Sequence, residues 1–189
     1  MASSSYAQGE VRPQASSSPS LEQATISISA QSIPLAVEQE KTIEYTLPYP
    51  GMLPDSPLYM MKVVRDKIIS FLISDPLKKA EFNLLQADKR LQAGIFLVEK
   101  DKNKTPLAIS TISKGQNYFE EAIHEMQEVK NQGKDANGLL DRLIVASGKH
   151  QKVLQDFIRG VAPDARGDVE AMRKRMEKLG KTAMEIKQQ

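Results

Sequence analysis

The side chains best suited to chemistry in this chain cluster at residues 120–128, "EEAIHEMQE". On a helix, Glu121 and His124 would lie one turn apart on the same face, with the Glu-x-x-His spacing that di-metal helical bundles use. Those bundles need the motif twice, together with two more carboxylates, and this sequence has a single copy. Glu121 and His124 are therefore weak metal candidates, and a solvated charged face is the favoured interpretation.

The second histidine, His150, falls in helical register with Leu143, Leu154 and Phe157. No carboxylate that could orient its ring lies nearby in sequence, and a metal site needs three or four ligands. We predict that His150 packs at the edge of the core. A small-ligand pocket around His150 is the alternative.

Other chemistries lack their usual sequence signatures. The chain has no Cys, so it has no thiol nucleophile, thiolate metal site or disulfide. It also has no Gly-x-Ser-x-Gly elbow, phosphate loop or dinucleotide fingerprint. We therefore predict no catalytic residue, no metal and no cofactor, and the chain is not expected to be an enzyme.

The charge pattern argues against nucleic acid and against a membrane span. Net charge is only +2, and the densest basic run, "MRKRMEKLGK" at residues 172–181, holds Glu177 and no aromatic residue for base stacking. Alternating charge of this kind indicates a solvated helix face. No stretch approaches the roughly 20 apolar residues that a bilayer requires.

The elements that position these residues are predicted to be helices, so the fold class is all-α. Proline follows a capping residue at Ser56-Pro57, Asp75-Pro76 and Thr105-Pro106, which is typical of helix starts. Weaker starts lie near Asp135 and Pro163. We predict an antiparallel bundle with helices at about residues 57–73, 76–100, 106–131, 136–160 and 164–187.

Each predicted helix carries an apolar stripe at spacings of three and four residues. The stripe on the fifth helix is the thinnest, so that helix is expected to be the least firmly held. The first helix could bury its stripe in the bundle or lie in a membrane interface, with Lys62, Arg65, Asp66 and Lys67 on its polar side. We favour burial, because the neighbouring helices have matching stripes. The first stripe consists of Leu58, Met61, Val64, Ile68 and Phe71.

The N-terminal quarter has a different composition. Residues 1–57 hold two basic and six acidic side chains, and residues 1–46 are rich in Ser, Gln and Ala without helical period. We predict a disordered tail at residues 1–46, because such a segment buries too little apolar surface to offset its ordering entropy. Ser5 and Ala7 before Gln8 have the spacing of a signal cleavage site, so residues 1–7 are interpreted as a signal-peptide remnant.

Residues 47–57, which we call the clasp, open a helical domain predicted at residues 47–189. Pro50-Gly51 suits the centre of a type II turn, in which glycine takes a positive φ. Pro54 and Pro57 restrict the residues before them to extended conformations. We expect the clasp to fold back over one end of the bundle, with Leu53 and Tyr59 packed on the core.

The clasp and the second predicted helix together resemble a bacterial family of unknown function found in secreted or membrane-attached proteins. In that family a "PG-x-LP-x-x-PLY" element opens a helical domain, and the likeness spans about residues 47–187. The resemblance implies an extracytoplasmic helical domain and supplies no catalytic residues. The matching residues are Pro50, Gly51, Leu53, Pro54, Pro57, Leu58 and Tyr59, followed by Lys79, Ala80, Ala87, Arg90 and Leu91.

These observations lead us to expect an extracytoplasmic, non-catalytic interaction or scaffold module. Its partner would be an unidentified protein or a component of the cell envelope, and no nucleic acid is expected. The alternative is a bundle that binds a small ligand or a metal near His150 or at Glu121 and His124. The sequence does not specify an oligomeric state.

Overall fold

The computed structural model describes residues 44–189, and within that range the chain is helical and contains no strand. The five predicted helices are confirmed, and their ends lie within two residues of the predicted ends. Short 3-10 turns at Lys102–Lys104 and Pro163–Ala165 precede the third and fifth helices. The helices are α1 (Tyr59–Leu72), α2 (Pro76–Lys100), α3 (Thr105–Asn131), α4 (Asn137–Gly160) and α5 (Arg166–Gln188).

Two of the five predicted helix starts have the expected side-chain hydrogen bond, whereas α1, α3 and α5 begin without a side-chain cap, and Thr105 is the first residue of α3 rather than its cap. The Asp75 carboxylate accepts a hydrogen bond from the Leu77 backbone N–H, and Asp135 does the same for Asn137. Ser56 does not cap α1: it ends a turn in which its N–H donates to the Leu53 carbonyl, and the start of α1 has no side-chain cap. The helix instead begins at Tyr59, whose N–H donates to the Ser56 carbonyl.

Helices α2 to α5 form the core of the bundle. Helix α2 packs mainly on α3, and α4 packs mainly on α5, which also contacts α3. The largest fully buried side chains come from these four helices and include Phe119, Leu84, Leu91, Leu140, Leu154 and Met176.

Glycines let the helices approach closely at two crossings. A Cβ at Gly115 of α3 would lie 3.0 Å from the Arg90 Cβ and 3.1 Å from the Ala87 carbonyl oxygen of α2. A Cβ at Gly180 of α5 would clash with the Ser147 side chain of α4. Larger residues at either glycine would push the paired helices apart.

The fifth helix is held more firmly than predicted. Its whole apolar stripe is buried, as expected for a helix that covers the core. The first helix is the exposed one instead, as described below. The buried stripe of α5 consists of Val169, Met172, Met176, Leu179 and Ile186.

The clasp docks on the bundle and contacts the first turn of α1 and the C-terminal end of α2. Pro50 is buried, Leu53 packs against the core, and Gly51 has the predicted positive φ, at +70°. The Asp55 carboxylate is 2.6 Å from Lys104 Nζ and 3.1 Å from Lys100 Nζ. These lysines hold the pKa of Asp55 below its usual value, chiefly through the hydrogen bond from Lys104.

We expect Gly51→Ala to destabilise the protein by about 1 kcal/mol, because an L-residue is strained at a positive φ. Gly148→Ala is the matched control, since Gly148 lies inside α4 with open space around its Cβ position. That change should stabilise the protein by about 0.5–1 kcal/mol through helix propensity. Urea unfolding of the two variants measures both effects, and a shift of the same sign for both would contradict the turn assignment.

Candidate functional site

Helix α1 exposes its apolar side to solvent. Phe71 is 88% exposed and Met61 is 71% exposed, although both were predicted to be buried in the bundle. Leu58, just before the helix, is exposed as well. The prediction that this stripe is buried is therefore wrong. We call the apolar side chains of α1 that are more than half exposed the apolar face of α1, and they are Met60, Met61, Val64, Ile68, Phe71 and Leu72.

The polar side of α1 makes the contacts with the rest of the domain. Tyr59 accepts a hydrogen bond from Arg90 Nη1 of α2, at 2.8 Å. Lys62 Nζ donates to the Pro50 carbonyl, at 3.0 Å, and Asp66 is 3% exposed and bonded to Arg65. The helix is thus turned over relative to the prediction. The physical reason is that α2 buries its own apolar stripe against α3 and α4 and presents Arg90 to α1.

Several polar groups on α2 are buried without a partner. Both amide atoms of Asn83 and the Nε of Arg90 lack a hydrogen bond, and Asn83 is fully buried. Asn83 lies seven residues before Arg90, so the two share a side of α2. Arg90 also stacks on the Tyr118 ring of α3, at 4.9 Å from its centroid. This side of α2 is therefore polar, which is consistent with the polar side of α1 lying against Arg90.

A second polar cluster, built on His150, lies inside the bundle. His150 Nε2 is 2.8 Å from the Asp88 carboxylate of α2, and its ring contacts Phe119 with centroids 5.4 Å apart. Tyr45 donates its hydroxyl to the other oxygen of Asp88, at 2.6 Å. His150 thus has a carboxylate partner that is distant in sequence.

Sequence reasoning missed Asp88 and Tyr45. The available signal was the position of Asp88, which lies on the apolar stripe of α2 between Leu84 and Leu91. An acid in a buried stripe needs a partner, and His150 was the one titratable residue on the facing stripe of α4. Tyr45 had been placed in the predicted tail, whose residues 1–43 lie outside the described range. Its hydrogen bond and its contact with the core show that the folded body includes it.

The Tyr45–Asp88–His150 cluster is arranged to stabilise the fold. Burial, reinforced by the hydrogen bond to the Asp88 carboxylate, raises the pKa of the Tyr45 phenol well above its usual value. The phenol therefore stays protonated and donates to the carboxylate. His150 and Asp88 are each no more than 3% exposed, so a substrate cannot reach them without opening the core.

The raised pKa of Tyr45 predicts a loss of stability at alkaline pH. The stabilisation is fully present below the unfolded-state pKa, near 10. It falls as pH rises above that value, because only the unfolded chain then releases the proton. Tyr45→Phe should flatten this alkaline fall, whereas Tyr49→Phe, at an exposed tyrosine, should leave it unchanged. Thermal unfolding between neutral and alkaline pH measures the slope, and equal slopes for Tyr45→Phe and wild type would contradict the assignment.

Glu121 and His124 are not assembled into a metal centre. Both side chains are exposed on α3. Among residues 44–189, no group of three or more His, Asp or Glu side chains is placed to hold a metal ion. The neighbouring acids Glu120 and Glu125 pair with Arg175 and Lys79 instead.

A separate pocket of about 410 Å³ lies between the C-terminal parts of α2 and α4. Its apolar wall includes Ile95, Val98, Val153 and Phe157, and charged residues stand at its rim. His150 does not line it, so the predicted pocket residue and this pocket are different places. The rim is formed by Glu99, Lys102 and Asp156.

None of the helices described between residues 44 and 189 is long and apolar enough to cross a membrane. A search of curated proteins and a search of solved structures each found no significant match. A family model described as a domain of unknown function (DUF5667) matches residues 51–188, from Gly51 of the clasp to the end of α5. The expectation of an uncharacterised family is confirmed, and the chain belongs to the DUF5667 family of domains of unknown function.

Proposed function

We propose that this chain is a non-catalytic, extracytoplasmic interaction module that engages its partner through the apolar face of α1. The observation that carries the proposal is the exposure of six large apolar side chains on one side of one helix. Contiguous exposed apolar surface of this kind is typical of interaction sites in folded proteins. Single exposed apolar residues that are scattered over a surface are common and do not indicate such a site. Elsewhere among the described residues, the exposed large hydrophobics of α3 and α5 are single side chains, Leu107 and Met184.

The mounting of α1 supports this role. Tyr59 and Lys62 fix its first turn to Arg90 and to the clasp, and the clasp is tied to the end of α2 through Asp55. A face held in place before binding loses little conformational entropy when it binds. The four-helix core thus serves as a base that presents α1.

The non-catalytic part of the proposal is supported by the location of the titratable residues. The His150–Asp88 pair lies in the core, and Glu121 and His124 stand on an exposed surface without a third ligand. Neither place combines a reactive group with a cavity that would hold a substrate.

The extracytoplasmic location is supported by the small residues before Gln8 and by the resemblance of the clasp to secreted or membrane-attached proteins. Fractionation of the source cells tests it directly. We expect the natural protein outside the cytoplasm, and recovery in the cytosolic fraction would refute this part of the proposal.

Site-specific photocrosslinking tests the interaction surface. A photoreactive amino acid is placed at Val64, in the centre of the apolar face, and the full chain is expressed in its native cells. We expect adducts with a defined protein or with lipid after irradiation. The matched control places the same amino acid at Met184, an exposed apolar residue of α5. Equal crosslinking from both positions would mean that the apolar face of α1 is not an interaction surface.

A small-ligand site is the second candidate function, and the pocket between α2 and α4 favours it. Its apolar wall and charged rim suit a small amphipathic molecule. A thermal-shift screen of metabolites and metal ions tests this idea, because a ligand that binds only the folded state raises the melting temperature. Val153→Trp should fill the pocket and abolish any such shift.

A further inference from the structure

We propose that the apolar face of α1 binds the surface of an anionic lipid bilayer. This inference rests on the proposed interaction function and names its partner. Three features of the described residues support it: the shape of the apolar face, the charges beside it and the orientation of α1 on the bundle.

The apolar face is a ridge rather than a groove. The shallow depression on it is lined, among the described residues, by α1 alone: Met60, Met61, Val64, Ile68, Ile69 and Arg65. With 14 residues the helix is about 21 Å long. An occupant must therefore surround a single projecting helix. The boundary between headgroups and acyl chains does this for any helix that lies in the bilayer plane.

The exposed charges on α1 are positive and stand on both flanks of the ridge. At 3.6 residues per turn, Arg65 lies about 100° to one side of Val64 and Lys67 lies about 60° to the other. The Arg65 side chain is 63% exposed, and Lys67 is exposed. Asp66 is the sole acid in α1; it is buried, and its carboxylate pairs with the Arg65 guanidinium at 2.8 Å. The Asp66 carboxylate therefore offsets part of the charge of Arg65, whereas no carboxylate of α1 pairs with Lys67. This is the arrangement of an interfacial helix that binds anionic headgroups.

These charges disfavour a second copy of the chain as the occupant. Pairing two α1 ridges about a two-fold axis would bring Arg65 and Lys67 of both copies together. Asp66, which is already paired with Arg65 in its own copy, would offset only part of this repulsion, and α1 has no other carboxylate. Anionic headgroups neutralise both flanks at the same depth at which the acyl chains receive the apolar side chains.

The orientation of α1 on the bundle fits the same partner. Its polar side, with Tyr59, Lys62 and Asp66, faces the protein, so its apolar side is directed away from the body. A helix that lies in a membrane interface directs its apolar side toward the acyl chains and its polar side away from them. Helix α1 already has this orientation if the bundle lies on the aqueous side of the bilayer surface. Bilayer binding therefore requires no rearrangement of the bundle.

Vesicle binding by labelled full chain tests the proposal. The 189-residue chain has no Cys, so Val64→Cys and the control Met184→Cys each give one site for an environment-sensitive dye. The probe vesicles are phosphatidylcholine alone and an equimolar mixture with phosphatidylglycerol. We expect a blue shift from position 64 on the mixed vesicles, a weaker one on phosphatidylcholine, and none from position 184.

A flotation assay with unlabelled variants measures how much the apolar face of α1 and its flanking charges contribute to vesicle binding. Val64→Glu should lower partitioning into mixed vesicles by roughly tenfold or more, because a carboxylate would enter the apolar boundary of an anionic surface. Lys67→Gln should lower it by about fivefold, the usual effect of one basic residue near an anionic surface. Met184→Glu and Lys178→Gln, exposed controls on α5, should have little effect. Thermal unfolding should be unchanged in all four variants, since each side chain is exposed.

Each contrary outcome has a distinct meaning. Absence of vesicle binding by the full chain, or binding that Val64→Glu leaves intact, would overturn the lipid proposal. Equal binding to both vesicle types would overturn the claim that the apolar face of α1 prefers an anionic bilayer. If vesicles are not bound but photocrosslinking at Val64 traps a defined protein, or a second copy of the chain, the proposed function stands with a different partner. Failure of both assays would remove the proposed function as well.

Discussion

Asp88→Ala is expected to lower the free energy of unfolding by about 3–4 kcal/mol, because it leaves two polar groups without their partner inside the fold. His150 Nε2 is 2.8 Å from this carboxylate, and the Tyr45 hydroxyl is 2.6 Å from it. Asp88 itself is almost fully buried, so water cannot replace it without opening the core.

Two variants make this measurement specific. Asp88→Asn keeps an acceptor oxygen and should lose less stability than Asp88→Ala. Glu121→Ala removes an exposed acid from α3 and should change stability by less than about 0.5 kcal/mol. Urea unfolding gives all three values. An Asp88→Ala midpoint equal to that of Glu121→Ala would show that the buried Tyr45–Asp88–His150 cluster does not stabilise the fold.

Phe119→Ala and Phe71→Ala are expected to differ in stability by about 3–5 kcal/mol, although both remove the same side chain. Phe119 is fully buried between helices and contacts His150, so its loss leaves a cavity. Phe71 is 88% exposed at the end of α1, and its truncation should leave the free energy of unfolding almost unchanged.

The Phe119→Ala and Phe71→Ala variants also distinguish between two orientations of α1, with its apolar face exposed to solvent or packed against the bundle. If α1 were packed into the bundle as its stripe predicted, Phe71→Ala would cost several kcal/mol. Chemical denaturation of both variants distinguishes the cases. A large loss for Phe71→Ala would mean that the apolar face is covered within the molecule and is not an interaction surface.

The helices could be predicted from the sequence because their signals are local. Asp75 and Pro76 fix the start of α2, and the apolar spacing of Leu84 and Leu91 fixes which side of it is buried. A cap or an i, i+7 pair depends on neighbouring residues only. The positive φ of Gly51 was predictable for the same reason.

The orientation of α1 on the bundle could not be predicted from the sequence. An apolar stripe shows which side of a helix is apolar, but it does not show whether another part of the protein covers that side. Met61 and Val64 are spaced as buried residues are, and nothing near them in sequence distinguishes burial from presentation. The answer depended on α2, whose side toward α1 carries Arg90 rather than apolar residues. The Asp88–His150 pair was missed for a related reason, since 62 residues separate its members.

Thiol accessibility at Val64 measures the central claim, that the apolar face of α1 is free in the isolated chain and covered where the protein works. A single Val64→Cys in the otherwise Cys-free full chain is treated with a maleimide, first as purified protein and then in the native envelope fraction. We predict fast labelling of the purified protein, protection in the envelope fraction, and fast labelling of Met184→Cys in both. Slow labelling of purified Val64→Cys, or equal labelling of it in both preparations, would contradict the account.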